Sequence, residues 1–183
     1  QLNTSSATYI AWLAKKGATP GFDIVSYTGN GSNRTISHAC GVAPSLVIVK
    51  ARTTASTDQA AAVWHSGIAN TEYLVLNSTA AKATGTTYWN STSPTSSVFS
   101  VGTAAAVNTN SDTYIAYLFA EVAGFSKIGT YTGNANADGP FVWCGFRPKF
   151  VLIKSSTTTD DWTIYDSARD TYNVMPDRLY ADT

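Results

Sequence analysis

The chain carries one stretch twice. Tyr27–Lys50 aligns without a gap with Tyr131–Lys154 at an offset of 104 residues. Both begin Tyr-Thr-Gly-Asn and both carry Cys-Gly, at Cys40-Gly41 and Cys144-Gly145. Both then pass a proline, Pro44 or Pro148, and enter an apolar run that closes on a lysine. A fixed period constrains a fold more than any single motif does. This one is too long and too few in number for a solenoid, so each copy is expected to be a domain-sized unit. The phase is informative as well. Thr8-Tyr9-Ile10-Ala11 precedes Gly21-Phe22 just as Thr113-Tyr114-Ile115-Ala116 precedes Gly124-Phe125. The expected organisation is therefore the last strand of a preceding copy and a linker over 1–20, a complete repeat over 21–123, and an incomplete second repeat over 124–183. Both ends read as cuts through a repeating array, and an open sheet edge at such a cut invites pairing with another chain.

Composition supports β structure. Ser and Thr make up about a quarter of the 183 residues, and Glu occurs only at Glu72 and Glu121. Thr, Val, Tyr and Trp fit pleated, half-buried surfaces, whereas the usual helix formers are scarce. Formal net charge is zero. The chain thus lacks the basic footprint of a nucleic-acid binder and gives no reason to invoke an anionic membrane. Short strands are expected at Phe22–Thr28, Arg34–Cys40, Leu46–Lys50, Ala61–Ser66 and Tyr73–Asn77. Leu46–Lys50 is a continuous apolar run and should be central in its sheet. Tyr88-Trp89-Asn90 is expected to pair with Val98–Val101 across Ser93-Pro94-Thr95. Tyr9–Ala14 and Tyr114–Glu121 read as strands rather than helices, since neither has a clear cap. In the second repeat, strands are expected at Phe125–Thr132, Pro140–Cys144, Phe150–Lys154, Trp162–Asp166 and Leu179–Ala181. Short strands punctuated by turns about every ten residues predict an antiparallel sandwich. The fold class is therefore all-β: a tandem antiparallel β-sandwich, jelly-roll or concanavalin-like.

Little chemistry accompanies this architecture. Asn134, Asn136 and Asp138 place oxygen side chains at alternate positions before Gly139, like the front of a calcium loop. The closing Glu is absent, and a plain turn is the simpler reading. Calcium is the one cofactor this spacing suggests. Asp160 and Asp161 beside Trp162 admit a metal or sugar site, against the plainer alternative of a solvated loop next to a buried Trp. His38 and His65 have no Cys/His/Asp companions at ligand spacing and read as structural. Cys40 and Cys144 occupy equivalent repeat positions, so a bridge between them is not expected; both read as free thiols, buried or half-buried. The acids sit in predicted turns and do not suggest a glycosidase pair. No enzyme activity is expected. Five Trp and ten Tyr offer core anchors and, where exposed, flat faces for a sugar or a partner. Trp89, with Tyr88 beside it, is the aromatic expected to be exposed.

Gly21–Gly31, Val47–Lys50, Tyr73–Asn77, Trp89-Asn90 through Phe99, Tyr114–Phe125, Asp138–Val142, Gly145–Pro148 and Tyr165–Asp170 together resemble a tandem domain of unknown function found in long phage tail and virion proteins, notably from marine phages. The resemblance spans nearly the whole chain. It implies a concanavalin-like or laminin-G-like sandwich and a place in a virion, and it brings no catalytic residues. The function expected is that of a non-enzymatic virion structural protein, in a tail fibre or another surface fibre. Its expected partners are further copies of itself, as a trimer or fibre, other virion proteins, and a host-surface glycan. A secreted bacterial carbohydrate-binding or adhesin module is the alternative.

Overall fold

The computed structural model describes residues 5–6, 11, 13–53, 59–170 and 176–182. The expected strand at Tyr9–Ala14 lies largely outside the described residues. Eleven strands and one helical turn occur among those described: β1 (Phe22–Thr28), β2 (Arg34–Ser37), β3 (Leu46–Ala51), β4 (Ala61–His65), β5 (Glu72–Val75), β6 (Ala83–Thr84), β7 (Val98–Val101), α1 (Ala105–Asn108), β8 (Thr113–Phe119), β9 (Phe150–Ile153), β10 (Thr163–Asp166) and β11 (Leu179–Tyr180). The fold is all-β, with several antiparallel sheets. One sheet has six strands in the order β1-β8-β3-β4-β5-β6, one has three in the order β11-β10-β9, and β2 pairs with β7.

The apolar run of β3 is central, as its sequence predicts, between β8 and β4. Alternation sends Val47, Val49 and Ala51 of β3 and Tyr114, Ala116 and Leu118 of β8 to one face. There they meet Ile36 of β2, Phe99 and Val101 of β7, Ala106 and Val107 of α1, and Trp89. Each such buried aliphatic side chain contributes about 1.5–3 kcal/mol, so this cluster is the main source of stability. The opposite face of β3, β4 and β5 is also covered. Leu46, Ile48, Val63 and Leu74 pack with Leu152 of β9, Trp162 and Ala181. The three-stranded sheet therefore lies on the outer face of the six-stranded one.

The two meanders pair in the same antiparallel way, at offsets close to that of the sequence repeat. In the first meander Leu46 faces His65, and Val63 faces Leu74. In the second, Phe150 faces Asp166, and Ile164 faces Leu179. His65 and Asp166 thus hold matching places in the two meanders.

Buried polar groups fix the joints. Asn108 is fully buried at the end of α1. Its Oδ1 accepts the Asn30 amide at 3.0 Å, and its Nδ2 lies 2.7 Å from the carbonyls of Ser32 and Gly102. Tyr27 Oη donates to the Val107 carbonyl at 2.6 Å, and Tyr114 Oη donates to that of Ala105 at 2.7 Å. Three side chains thus hold a helical turn that has no side-chain cap of its own. Asp23, also buried, accepts the amides of Ile24 and Ala39 and pairs with Lys16 at 2.7 Å. Burial opposes its ionisation, but Lys16 and the two amides outweigh that and hold the carboxyl below its ordinary value. β2 ends at Ser37 rather than reaching Cys40, and the Ala39 amide bonds the Asp23 carboxylate.

Several expectations need correction. Val98–Val101 pairs with β2 and not with Tyr88–Asn90; Asn90 and Ser91 both adopt left-handed φ, which turns the chain at that point. β6 and α1 add elements that the expected strands do not include. Phe125–Thr132 and Pro140–Cys144 are not strands: among the described residues their only ladder contact is the isolated bridge Val122–Ser126. Their alternating patterns lack a neighbouring strand to complete backbone pairing.

Candidate functional surface

The residues singled out from the sequence separate into core, seam and surface. Trp89 is core, at 2% exposure, which corrects the expectation that it is displayed. It sits under the turn formed by Asn90 and Ser91, and Thr92 N donates back to its carbonyl at 3.1 Å. Tyr88 is half-buried and stacks on Tyr73 with ring centroids 3.7 Å apart and planes 10° apart. Both aromatics are engaged inside the molecule.

Trp162 belongs to the seam between the two larger sheets. It is buried, and its Nε1 donates to the Val75 carbonyl at 2.8 Å. The neighbouring backbone crosses the same seam: Asp160 N donates to Thr79 O at 2.9 Å, and Lys82 N donates to Ser156 O at 3.0 Å. Asp160 Oδ1 accepts the Asp161 amide at 2.9 Å. Lys154 Nζ reaches the carbonyls of Thr79 and Ser155 at 3.1 and 2.8 Å. Burial lowers its pKa, against the pull of the carboxylates of Asp160, Asp182 and Asp161. The Asp160–Trp162 stretch is thus occupied in joining sheets.

Asn134, Asn136 and Asp138 are exposed on a turn. Asn134 Oδ1 accepts the Asn136 amide at 3.1 Å, Ala135 is left-handed at φ 56°, and Gly139 N donates to Asn136 O. One of the three proposed oxygen ligands is therefore used by the turn itself. Among the described residues no three His, Cys, Asp or Glu side chains converge as a metal site. The histidines serve turns. His65 Nδ1 accepts the Gly67 amide at 2.8 Å, and burial lowers the His65 pKa. His38 Nδ1 accepts the Cys40 amide at 3.3 Å. Both cysteines are free; Cys40 is buried and Cys144 half-buried. Burial and the nearby Asp23 charge push the Cys40 thiol up to about 11.

The exposed aromatics lie elsewhere. Phe141 and Trp143 are 86% and 76% exposed, and their rings lie 6.4 Å apart at 39°. Phe125, Tyr131 and Val142 are exposed in the same stretch of chain. A solvent-facing ring pair of this kind offers flat apolar faces to a sugar or a protein partner. Phe141-Val142-Trp143 is a continuous apolar run of the kind expected in a buried strand, yet all three residues are exposed.

No helix among the described residues is long and apolar enough to cross a membrane. The chain belongs to a family described as a domain of unknown function (DUF7483), whose model matches residues 1–183. No curated protein and no solved structure matches it.

Proposed function

We propose that this chain is a non-enzymatic structural module of a phage virion, in a tail fibre or another surface fibre, built from tandem concanavalin-like β-sandwiches. One observation supports the proposal: the antiparallel pairing of β3, β4 and β5 has a counterpart in that of β9, β10 and β11, roughly one sequence repeat further along the chain. Such a repeated unit suits a load-bearing rod. The resemblance of its motifs to phage tail domains supplies the virion setting. On this reading residues 21–123 form one complete unit, residues 124–183 begin the next, and residues 1–20 carry the end of a preceding one. The module sits outside the cell on the particle, associates with its own copies and other virion proteins, and binds neither nucleic acid nor membrane. Weak contacts by many copies gain from avidity, and Phe141 with Trp143 is the surface we assign to a host glycan.

The test is mass spectrometry of particles purified through a density gradient from a lysate of the producing host. Peptides of this chain should band with the particles. Recovery only from the soluble cell fraction overturns the virion reading. A secreted bacterial adhesin module is the second reading, favoured by the same exposed ring pair. It predicts binding on a glycan array that Trp143→Ala reduces at least tenfold, with the protein free in culture medium and unattached to particles.

A further inference from the structure

β1 is the outer strand of the six-stranded sheet, with β8 on its inner side. Ala120 N donates to Gly21 O at 2.7 Å, and Gly29 N donates to Asp112 O at 2.8 Å. Along an antiparallel strand the backbone alternates between facing its partner and facing away. The peptide groups of Phe22, Ile24, Ser26 and Thr28 therefore point away from β8. A row of outward donors and acceptors is a template on which another strand can pair. On β1 most of that row is already taken.

Gly17 takes both groups of Phe22: its amide donates to Phe22 O at 2.8 Å, and its carbonyl accepts from Phe22 N at 3.2 Å. Asp23 Oδ1 accepts the Ile24 amide at 2.8 Å, and Lys16 Nζ donates to Ile24 O at 3.1 Å. Arg34 Nη1 donates to Thr28 O at 2.9 Å. Lys16 Nζ also lies 2.7 Å from Asp23 Oδ1, and Asp23 Oδ2 accepts the Ala39 amide at 2.6 Å. Two cations and a buried carboxylate thus lie across the edge. Among the described residues only the Ser26 peptide groups and the Thr28 amide stay open there.

We infer that Lys16, Asp23 and Arg34 form a guard that closes the β1 edge to strand addition by a second copy of this chain. An incoming strand needs the Ile24 amide and carbonyl for its ladder. To reach them it must pull Lys16 off the carbonyl and Asp23 off the amide, which leaves a buried carboxylate without its cation. It must also displace Arg34 to reach Thr28 O. The groups left open belong to Ser26 and Thr28 alone, too short a run to hold a strand. Contacts between copies therefore use surfaces other than this edge. The inference needs neither the virion setting nor the tandem reading, because every group in the guard lies within residues 16–39.

Amide hydrogen exchange, read by NMR on the full chain, tests the guard. In the unaltered chain the Ile24 amide should exchange slowly and the Ser26 and Thr28 amides fast, at low and high protein concentration alike. The uncapped chain is Lys16→Met/Asp23→Asn/Arg34→Met, in which Asp23→Asn removes the charge that Lys16→Met would leave unpaired. There the Ser26 and Thr28 amides should slow about tenfold or more as concentration rises. Light scattering should show the mass of that variant climbing from 19.4 kDa to twice that or beyond. A thermal melt reports whether the variant folds. If it does not, Lys16→Met/Arg34→Met, which keeps the Asp23 bonds to both amides, decides by the same readout. Ser26 and Thr28 amides that become protected in the concentrated unaltered chain overturn the inference, since the edge would then accept a strand with its caps in place. A folded uncapped variant that stays at 19.4 kDa with both amides fast overturns it too. Particle association, measured separately, remains the test of the virion reading, so the two fail independently.

Discussion

Residues 21–51 and 124–154 share sequence and much of their local conformation, yet only the first stretch is packed into a core. Gly21 and Gly124 both take left-handed φ, at 66° and 72°, and Gly41 and Gly145 do so at 77° and 79°. Gly31 at 69° is matched by Ala135 at 56°. Turn chemistry is thus set by residues close in sequence. Strand formation is not. Phe22–Thr28 is a strand because β8 pairs with all seven of its residues, whereas 125–132 has the same type of sequence and no such neighbour among the described residues. β propensity expresses fit to a pleated surface that must already be there.

The pair Phe22 and Phe125 gives the widest predicted contrast. Phe22 is buried against Phe119, with ring centroids 4.8 Å apart. Phe22→Ala should cost about 3–5 kcal/mol, as loss of a buried aromatic does. Phe125→Ala should change stability by no more than about 0.5 kcal/mol, as at an exposed site. Urea unfolding followed by fluorescence measures both. Equal costs would mean that the second stretch is packed as tightly as the first.

Much of the fold was legible in the sequence, and the losses have a physical pattern. β1, β3, β4 and β5 follow from alternation and turn residues, and β9, β10 and β11 from the repeat. The repeat taught nothing about residues 78–112, which have no second occurrence in the chain. There Trp89 is core although its sequence suggests display, and α1 is held by Tyr27, about eighty residues away, together with Tyr114 and its own Asn108. In 124–148 the reverse holds: 125–132 and 140–144 have strand-forming residues but no neighbouring strand among the described residues. The expected site residues dispersed for the same reason. Trp162 and Asp160 are held by Val75 and Thr79, more than eighty residues away along the chain, and no local pattern reports such a seam.

Glycine substitution sharpens the contrast at the next level of magnitude. Gly29 is buried against residues 108–112: its amide donates to Asp112 O at 2.8 Å, and its carbonyl accepts from Ser111 N at 3.0 Å. A methyl group there meets the Thr109 carbonyl. Gly29→Ala should destabilise by about 1–3 kcal/mol through overpacking. Gly133, its counterpart, has open space and is not in the left-handed region. Gly133→Ala should stabilise by about 0.4–1 kcal/mol by restricting the unfolded chain. Opposite signs from the same chemical change at matched positions are the expected result in paired thermal melts.

The matched cysteines give the smallest change in structure and the most direct readout. A thiol reacts as its thiolate, so its reactivity follows pKa and access. Cys40 is buried, its Sγ lies 4.0 Å from the Leu118 carbonyl, and burial together with Asp23 pushes its pKa up to about 11. At pH 8 it should be almost wholly protonated and sealed beneath β8. Cys144 carries the same neighbour, Gly145, but is only half-buried. In the native chain a thiol reagent should therefore titrate one group per molecule within minutes, and peptide mapping should assign it to Cys144. Under denaturant both should react. Raising the pH toward 11 without unfolding should leave Cys40 slow, because access as well as ionisation limits it. A Cys40 that reacts as fast as Cys144 at pH 8 would show that β8 opens as readily as the second stretch is exposed, and the packed-against-unpacked contrast would be lost.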